Sequence, residues 1–195
     1  MAFPNRWKDL TGEGGFDAVV GNPPYVRQEK IKPIKPALEA RYPAVHDGVA
    51  DLYVYFFARA LQSLRPGGRF AYVVNNKWLK ADYAGNLRAL LADADRAWLI
   101  AITDFGHAKA FFPGVDAFPS VVCVQKPDAG APPETAQVAA IPRDLLTPEA
   151  LTRQVAALRF PLPRAAFSRS AWVLEPPPVL ALMAKLREGG VPLKD

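Results

Sequence analysis

Four short apolar runs, separated by stretches with helical periodicity, most strongly limit the fold of this chain. The runs cover residues 16–20, 69–74, 98–103 and 120–125. Strands that are apolar on both sides are covered on both faces, and their alternation with helices is typical of a layered sheet. The sequence therefore predicts an α/β fold with a mixed, mostly parallel sheet and helices on both faces.

Helical periodicity predicts four helices around these strands. They are expected after Asp51, over 82–92, after Thr147, and from about Pro177 to Gly189. Leu52, Phe56, Ala60 and Leu64 recur at the spacing of one inward helix face.

The proline content of the segments between these elements indicates their structure. Residues 26–48 are polar and interrupted by proline, which predicts a long loop. Residues 127–143 are rich in proline and alanine, so they form either a linker or a hairpin that returns as a strand over 137–141.

The composition fits a folded domain. Half of the 195 residues are hydrophobic and 22% are charged, and no apolar run approaches the roughly 18 residues of a membrane span. The net charge of +5 suits a polyanionic partner but does not require one. Cys123, the one cysteine, lies in an apolar run, which predicts a buried thiol in a reducing cytoplasm. One cysteine and two histidines offer no metal-ligand cluster.

The tetrapeptide Asn22-Pro23-Pro24-Tyr25 follows the first strand, at the edge where open α/β sheets bind ligands. One interpretation is a plain Asn-Pro turn. The other is chemical: the amine of adenine is a poor nucleophile because its lone pair is delocalised into the ring. Two acceptors against its N–H groups, the Asn22 side-chain oxygen and the Pro23 carbonyl, would favour a tetrahedral nitrogen with a free lone pair. Tyr25 offers a ring on which an extruded base can stack.

Phe16 to Tyr25 resembles motif IV of the gamma-class N6-adenine DNA methyltransferases, the class of the TaqI enzyme. Further matches follow in the order of that family. Asp51 to Phe56 is similar to motif V, and Phe112-Pro113 resembles motif VIII. Asn76-Lys77-Trp78-Leu79 is similar to the large single-chain type II restriction–modification and BREX-type phage-defence enzymes. Agreement of type and order is more specific than any one motif.

The resemblance implies a Rossmann-like sheet, S-adenosylmethionine as cofactor, and double-stranded DNA with a flipped adenine as substrate. It implies transfer of a methyl group to the N6 amine, in a bacterial, cytoplasmic restriction–modification or phage-defence enzyme. The catalytic residues would be Asn22, Pro23, Tyr25 and Phe112, and the cofactor-binding residues would be Asn22, Pro24, Leu52 and Phe56. Core packing is the alternative for Leu52, Phe56 and Phe112.

The cofactor pocket of that family begins with an earlier strand, a glycine-rich turn and an acidic residue, and none of these precedes the strand at 16–20. We therefore expect the later half of the sheet: residues 1–143 as a partial catalytic core and 144–195 as a connector toward a target-recognition domain. This piece alone is expected to be inactive. The uncovered edge of the 16–20 strand predicts pairing with a second copy or with another chain.

Other functions remain open at this point. A protein-glutamine N5 methyltransferase also uses Asn-Pro-Pro-Tyr, because an amide nitrogen poses the same lone-pair problem, but the segment Val73 to Trp78 disfavours it. An N4-cytosine methyltransferase would more usually have serine at position 22. A non-catalytic truncated module that binds DNA or another subunit is supported by the missing glycine-rich turn.

Overall fold

A computed structural model describes residues 14–106, 118–142, 147 and 149–190. Six strands form one sheet in the spatial order β1-β2-β4-β3-β5-β6. The strands, in chain order, are β1 (Phe16–Gly21), β2 (Leu64–Asn75), β3 (Trp98–Asp104), β4 (Pro119–Gln125), β5 (Thr135–Ala140) and β6 (Phe160–Pro163). The four apolar runs of the sequence therefore all form strands, as predicted.

The sheet is mixed. β1 is parallel to β2, and β3 is parallel to β5. β4 is antiparallel to both of its neighbours, β2 and β3, and β6 is antiparallel to β5. Four of the six described strands thus run in one direction, but antiparallel pairs outnumber parallel ones because β4 lies between two strands of the opposite direction. The predicted α/β class is confirmed.

The segment predicted as a linker or a hairpin contains a strand with an unexpected partner. β5 covers most of the proposed return strand, but it does not pair with β4. Its partner is β3, in register Ile102 to Val138. The predicted hairpin was therefore wrong, because β5 does not return beside β4 but joins the sheet on the far side of β3.

Helices cover the sheet unevenly. The helices are α1 (Gln28–Ile31), α2 (Lys35–Arg41), α3 (Leu52–Ser63), α4 (Gly85–Ala92), α5 (Leu151–Leu158) and α6 (Pro177–Gly189). Short 3₁₀ segments lie at Lys32–Ile34, Asn76–Leu79, Asp82–Ala84 and Arg164–Ala166. The long loop predicted over 26–48 was wrong, because Pro33 and Pro36 occupy the first positions of helical turns, where proline is tolerated.

The main core lies on one face of the sheet, against α3 and α4. The Phe57 ring of α3 lies 5.6 Å from Phe70 and 5.8 Å from Tyr72, both on β2. Trp78 is fully buried, and its indole N–H donates to the Ser120 hydroxyl at 3.2 Å. The core therefore joins α3 to the centre of the sheet.

The opposite face is covered beside β5 by α5, where Ala139 packs with Leu151 and Val155. Toward β1 this face is open: Val20 is 83% exposed. Cys123 also lies on this side and is only half-buried, so the prediction of a buried thiol was wrong. Its neighbours in register point away from the main core, because side chains alternate along a strand.

The last part of the chain packs on the same core. β6 extends the sheet, and Trp172 is 1% exposed beside Trp78, with ring centroids 5.4 Å apart. The Trp172 backbone N–H donates to the Leu79 carbonyl at 2.8 Å. Within the described residues, no helix is long and apolar enough to cross a membrane.

Candidate active site

The polar residues after three strands meet at one edge of the sheet. Asn22 follows β1, Asn76 follows β2, and Asp104 ends β3; these strands run in the same direction. Gly21 is paired in register with Tyr72, so Asn22 lies beside the last residues of β2. The structure therefore confirms that the Asn-Pro-Pro-Tyr loop lies at the carboxyl edge of the sheet.

The loop itself presents Asn22 outward on a fixed backbone. Pro23 is buried, whereas Asn22 and Pro24 are exposed. The Val26 N–H donates to the Pro24 carbonyl at 3.0 Å, which closes a tight turn, and two successive prolines fix two φ angles. In the part of the chain that the structure describes, the Asn22 carboxamide has no recorded partner, so it is available to a ligand.

The Tyr25 side chain is anchored through its hydroxyl group, while about half of its surface is exposed to solvent. Its phenol O–H donates to the Val73 carbonyl of β2 at 3.3 Å. The ring meets Tyr53 edge-on, with centroids 6.5 Å apart, and the side chain remains 51% exposed. Partial burial raises the pKa of Tyr25, so the phenol stays protonated and keeps donating at neutral pH. This geometry leaves an anchored aromatic face beside Asn22.

The loop is tied to the start of α3 by two hydrogen bonds. The Leu52 N–H donates to the Val26 carbonyl at 3.0 Å. The Gln28 N–H donates to the Asp51 carboxylate at 2.9 Å. Asp51 is the N-cap residue of α3, but its side chain makes no capping hydrogen bond within that helix. Its carboxylate instead fixes the chain that leaves the loop.

Leu52 and Phe56, the predicted cofactor-binding residues of α3, lie at the surface of the core. Both are half-buried, at the rim of the core. The Phe56 carbonyl accepts the Tyr72 O–H at 3.5 Å, and Tyr72 is the partner of Gly21. The predicted inward stripe of α3 was therefore partly wrong, because Tyr53 and Phe57 lie deeper than Leu52 and Phe56. The role of Leu52 and Phe56 in cofactor binding stays a prediction.

A buried lysine, which sequence reasoning missed, fixes the segment before α3. The Lys35 ammonium donates to the carbonyls of Ala50 at 2.6 Å and Asp47 at 3.0 Å, and to the Tyr55 hydroxyl at 3.2 Å. Burial lowers the pKa of Lys35 and raises the pKa of Tyr55 to about 12. No signal in the sequence distinguishes this lysine from its exposed neighbours Lys30 and Lys32.

A second pair missed by sequence reasoning joins the ends of β2 and β3. The Asn76 side-chain N–H donates to Asp104 Oδ1 at 2.9 Å, and the Gly106 N–H donates to the same oxygen at 2.9 Å. The sequence signal that could have identified this pair is that each residue comes shortly after an apolar run that forms a strand, and the two strands run in the same direction.

Phe112, the remaining predicted catalytic residue, lies outside the described residues. Its placement beside Asn22 stays a prediction. Among the described residues, no group of three or more histidine, cysteine or acidic side chains could hold a metal ion.

Comparison with known proteins agrees with these features. Residues 2–111 match the family of Eco57I restriction-modification methylases. The chain is 35% identical over 189 residues to the type II methyltransferase M.PaeR7I of Pseudomonas aeruginosa, covering 93% of this chain and 32% of that relative. It thus spans about a third of the relative's length.

Solved structures share the fold at low sequence identity. A Listeria monocytogenes protein assigned to the class I S-adenosylmethionine-dependent methyltransferases matches with a TM-score of 0.56 at 15% identity, over 74% of this chain and 42% of that one. The ATP-dependent type ISP restriction-modification enzyme LlaBIII, solved bound to DNA, matches with a TM-score of 0.55 at 10% identity, over 81% of this chain and 12% of that one.

Proposed function

This chain belongs to the family of Eco57I restriction-modification methylases, and from that premise we propose that it carries part of the active site of a DNA methyltransferase that modifies the N6 amine of adenine. The observation that carries the proposal is the loop after β1. It carries the exposed Asn22 carboxamide and the half-exposed Tyr25 ring on one short loop at the carboxyl edge of the sheet.

The chemistry assigned to this chain is the preparation of the target amine. The Asn22 side-chain oxygen and the Pro23 carbonyl accept one N–H bond each, so that the nitrogen lone pair is released from the ring. The Pro23 carbonyl is preorganised, since the Pro-Pro step limits the backbone and the turn at Val26 holds it, and the Asn22 side chain extends from that fixed backbone. Tyr25 supplies a face for the extruded base, and Phe112 is assigned the opposite face.

S-adenosylmethionine is the proposed cofactor, and when bound it supplies the methyl group as an electrophile. Asn22, Pro24, Leu52 and Phe56 are the residues assigned to hold it. The partial burial of Leu52 and Phe56 on α3 supports this assignment, because apolar side chains with one face open suit an adenine ring.

The proposed substrate is double-stranded DNA. The net charge of +5 is compatible with such a partner, and LlaBIII, whose fold is shared, was solved bound to DNA. A protein-glutamine methyltransferase is the weaker alternative, because membership of a restriction-modification family points to a nucleic-acid amine. We assign residues 1–143 to catalysis and 144–195 to a connector toward DNA recognition.

The test is methyl transfer by the product of the complete reading frame that contains this sequence. The purified protein is incubated with labelled S-adenosylmethionine and duplex DNA, and the DNA is digested to nucleosides. N6-methyladenine is the expected product. Label in N4-methylcytosine would overturn the base assignment, and label only in a protein glutamine would overturn the substrate class. DNA that stays unlabelled would support the non-catalytic module instead.

A first prediction concerns the 195-residue chain by itself. We expect it to bind S-adenosylmethionine weakly or not at all, because Leu52 and Phe56 supply only one wall and the described residues contain no glycine-rich turn to hold the rest of the cofactor. Titration calorimetry measures this directly. Binding at micromolar concentration would contradict the assignment of a partial site.

A second prediction concerns the outer edge of the sheet. In the described sheet β1 pairs only with β2, and a strand edge left open favours association with another chain. We expect the 195-residue chain to self-associate, and Val20→Lys to reduce that association by placing a charge on the strand. Light scattering would measure both, with Val179→Lys on α6 as the matched control. A monomeric wild-type chain would contradict the prediction.

A further inference from the structure

A pocket lies on the same sheet edge as Asn22, beyond β2. Its volume is about 350 Å³, which is within the range of roughly 300–1,000 Å³ for small-molecule sites. The pocket is lined by Asn76, Lys77, Leu79, Lys80, Ala81 and Asp104. β1 and β3 are three strand spacings apart, so the pocket lies within roughly 15 Å of Asn22. None of its residues has a part in the site proposed above.

The chemistry of the pocket suits an anion. Lys77 and Lys80 are exposed and bring two ammonium groups. Asp104 brings one carboxylate, but Asn76 and the Gly106 N–H already hold one of its oxygens. Two ammonium groups against one carboxylate leave the pocket with a net positive charge, and flexible ammonium groups are suited to phosphate oxygens.

The backbone that carries the two lysines is held rigidly. The Lys77 carbonyl accepts the N–H groups of Lys80 at 3.0 Å and Ala81 at 2.8 Å. Beneath it, the buried Arg88 guanidinium donates to the carbonyls of Trp78 at 2.7 Å and Ala81 at 2.8 Å. The floor is thus ordered before a ligand arrives, which lowers the entropic cost of binding.

We propose that this pocket binds a phosphate–sugar unit of the DNA strand that carries the target base, with Lys77 and Lys80 on the phosphate oxygens. The inference rests on the proposed function, since it assumes DNA as substrate. The position of the pocket favours a DNA strand over a free anion as its ligand. A DNA backbone that enters the Asn22 site along the carboxyl edge of the sheet passes the pocket within a few nucleotides.

The test compares the double variant Lys77→Gln/Lys80→Gln of the complete gene product with the wild type. DNA affinity is measured by fluorescence anisotropy of a labelled duplex over a range of salt concentrations. Each phosphate contact adds about 0.9 to the slope of log affinity against log salt, and the two lysines share one phosphate, so the slope should fall by about 0.9. The ratio of wild-type affinity to variant affinity should therefore shrink roughly threefold between about 50 mM and about 200 mM salt. The KM for DNA should rise with kcat nearly unchanged.

The control double variant is Arg96→Gln/Lys185→Gln, which removes the same charge. Arg96 is exposed before β3, at the opposite edge of the sheet, and Lys185 is exposed on α6. Its slope should match that of the wild type. A lysine double variant that keeps the wild-type slope, or competition by millimolar inorganic phosphate that removes the difference between the variants, would overturn the inference alone. A wild type that binds no DNA would overturn the proposed function with it.

Discussion

Asn22→Ala in the complete gene product should lower the rate of methyl transfer about 10²–10³-fold, the usual loss when one preorganised hydrogen-bond partner is removed from a developing charge. The side chain is exposed, and no partner is recorded for it among the described residues. Its removal should therefore leave the fold nearly unchanged, and its effect on cofactor and DNA binding should be small beside the loss of rate. Single-turnover transfer of labelled methyl groups, beside separate binding titrations, measures the two effects independently.

Two further substitutions make this test selective. Asn22→Asp should be milder than Asn22→Ala, because a carboxylate also accepts a hydrogen bond. Phe112→Ala should act on base capture instead, weakening it by roughly 1–3 kcal/mol of stacking with cofactor binding intact. If Asn22→Ala is folded, binds both ligands and methylates at the wild-type rate, Asn22 is only the first residue of a turn.

Trp78→Ala should have the largest effect on stability. The side chain is fully buried, its ring lies 5.6 Å from Phe57 and 5.4 Å from Trp172, and its N–H bonds to Ser120. Truncation of a buried tryptophan costs about 3–5 kcal/mol through the cavity that remains. The loss would be seen as a lower urea midpoint with a nearly unchanged slope.

Leu186→Ala is the matched control, since Leu186 is 65% exposed on α6. Its effect should stay within about 0.5 kcal/mol, as for most surface substitutions. A Trp78→Ala protein as stable as the control would mean that the aromatic cluster around Trp78 does not hold the core together.

Strands and loop chemistry were predictable because they depend on local pattern. The apolar run at 16–20 and the prolines that follow it determine both the end of β1 and the position of Asn22. A strand that is apolar on both sides is recognisable without its neighbours. The Asn-Pro-Pro-Tyr loop could therefore be assigned to the carboxyl edge before any pairing was known.

The pairing of strands and the burial of individual side chains depend on contacts between residues distant in sequence, so they were not predictable. The apolar content of β5 does not reveal that its partner is β3 and not β4. On α3, nearly every residue is apolar, so periodicity alone did not show that Tyr53 lies deeper than Leu52. The bond between Asn76 and Asp104 joins residues 28 positions apart, and only the sheet order brings them together.

The contact between Trp78 and Trp172 has an evolutionary consequence. Trp172 also packs on Phe167 at 4.8 Å, so three rings share one volume across a long stretch of chain. Residues in such contact are energetically coupled by about 0.5–3 kcal/mol, so a change in the size of one ring selects for compensation in another. Homologues should therefore exchange these positions in concert, and a segment transplanted without its partner rings should lose more stability than its own substitutions would suggest.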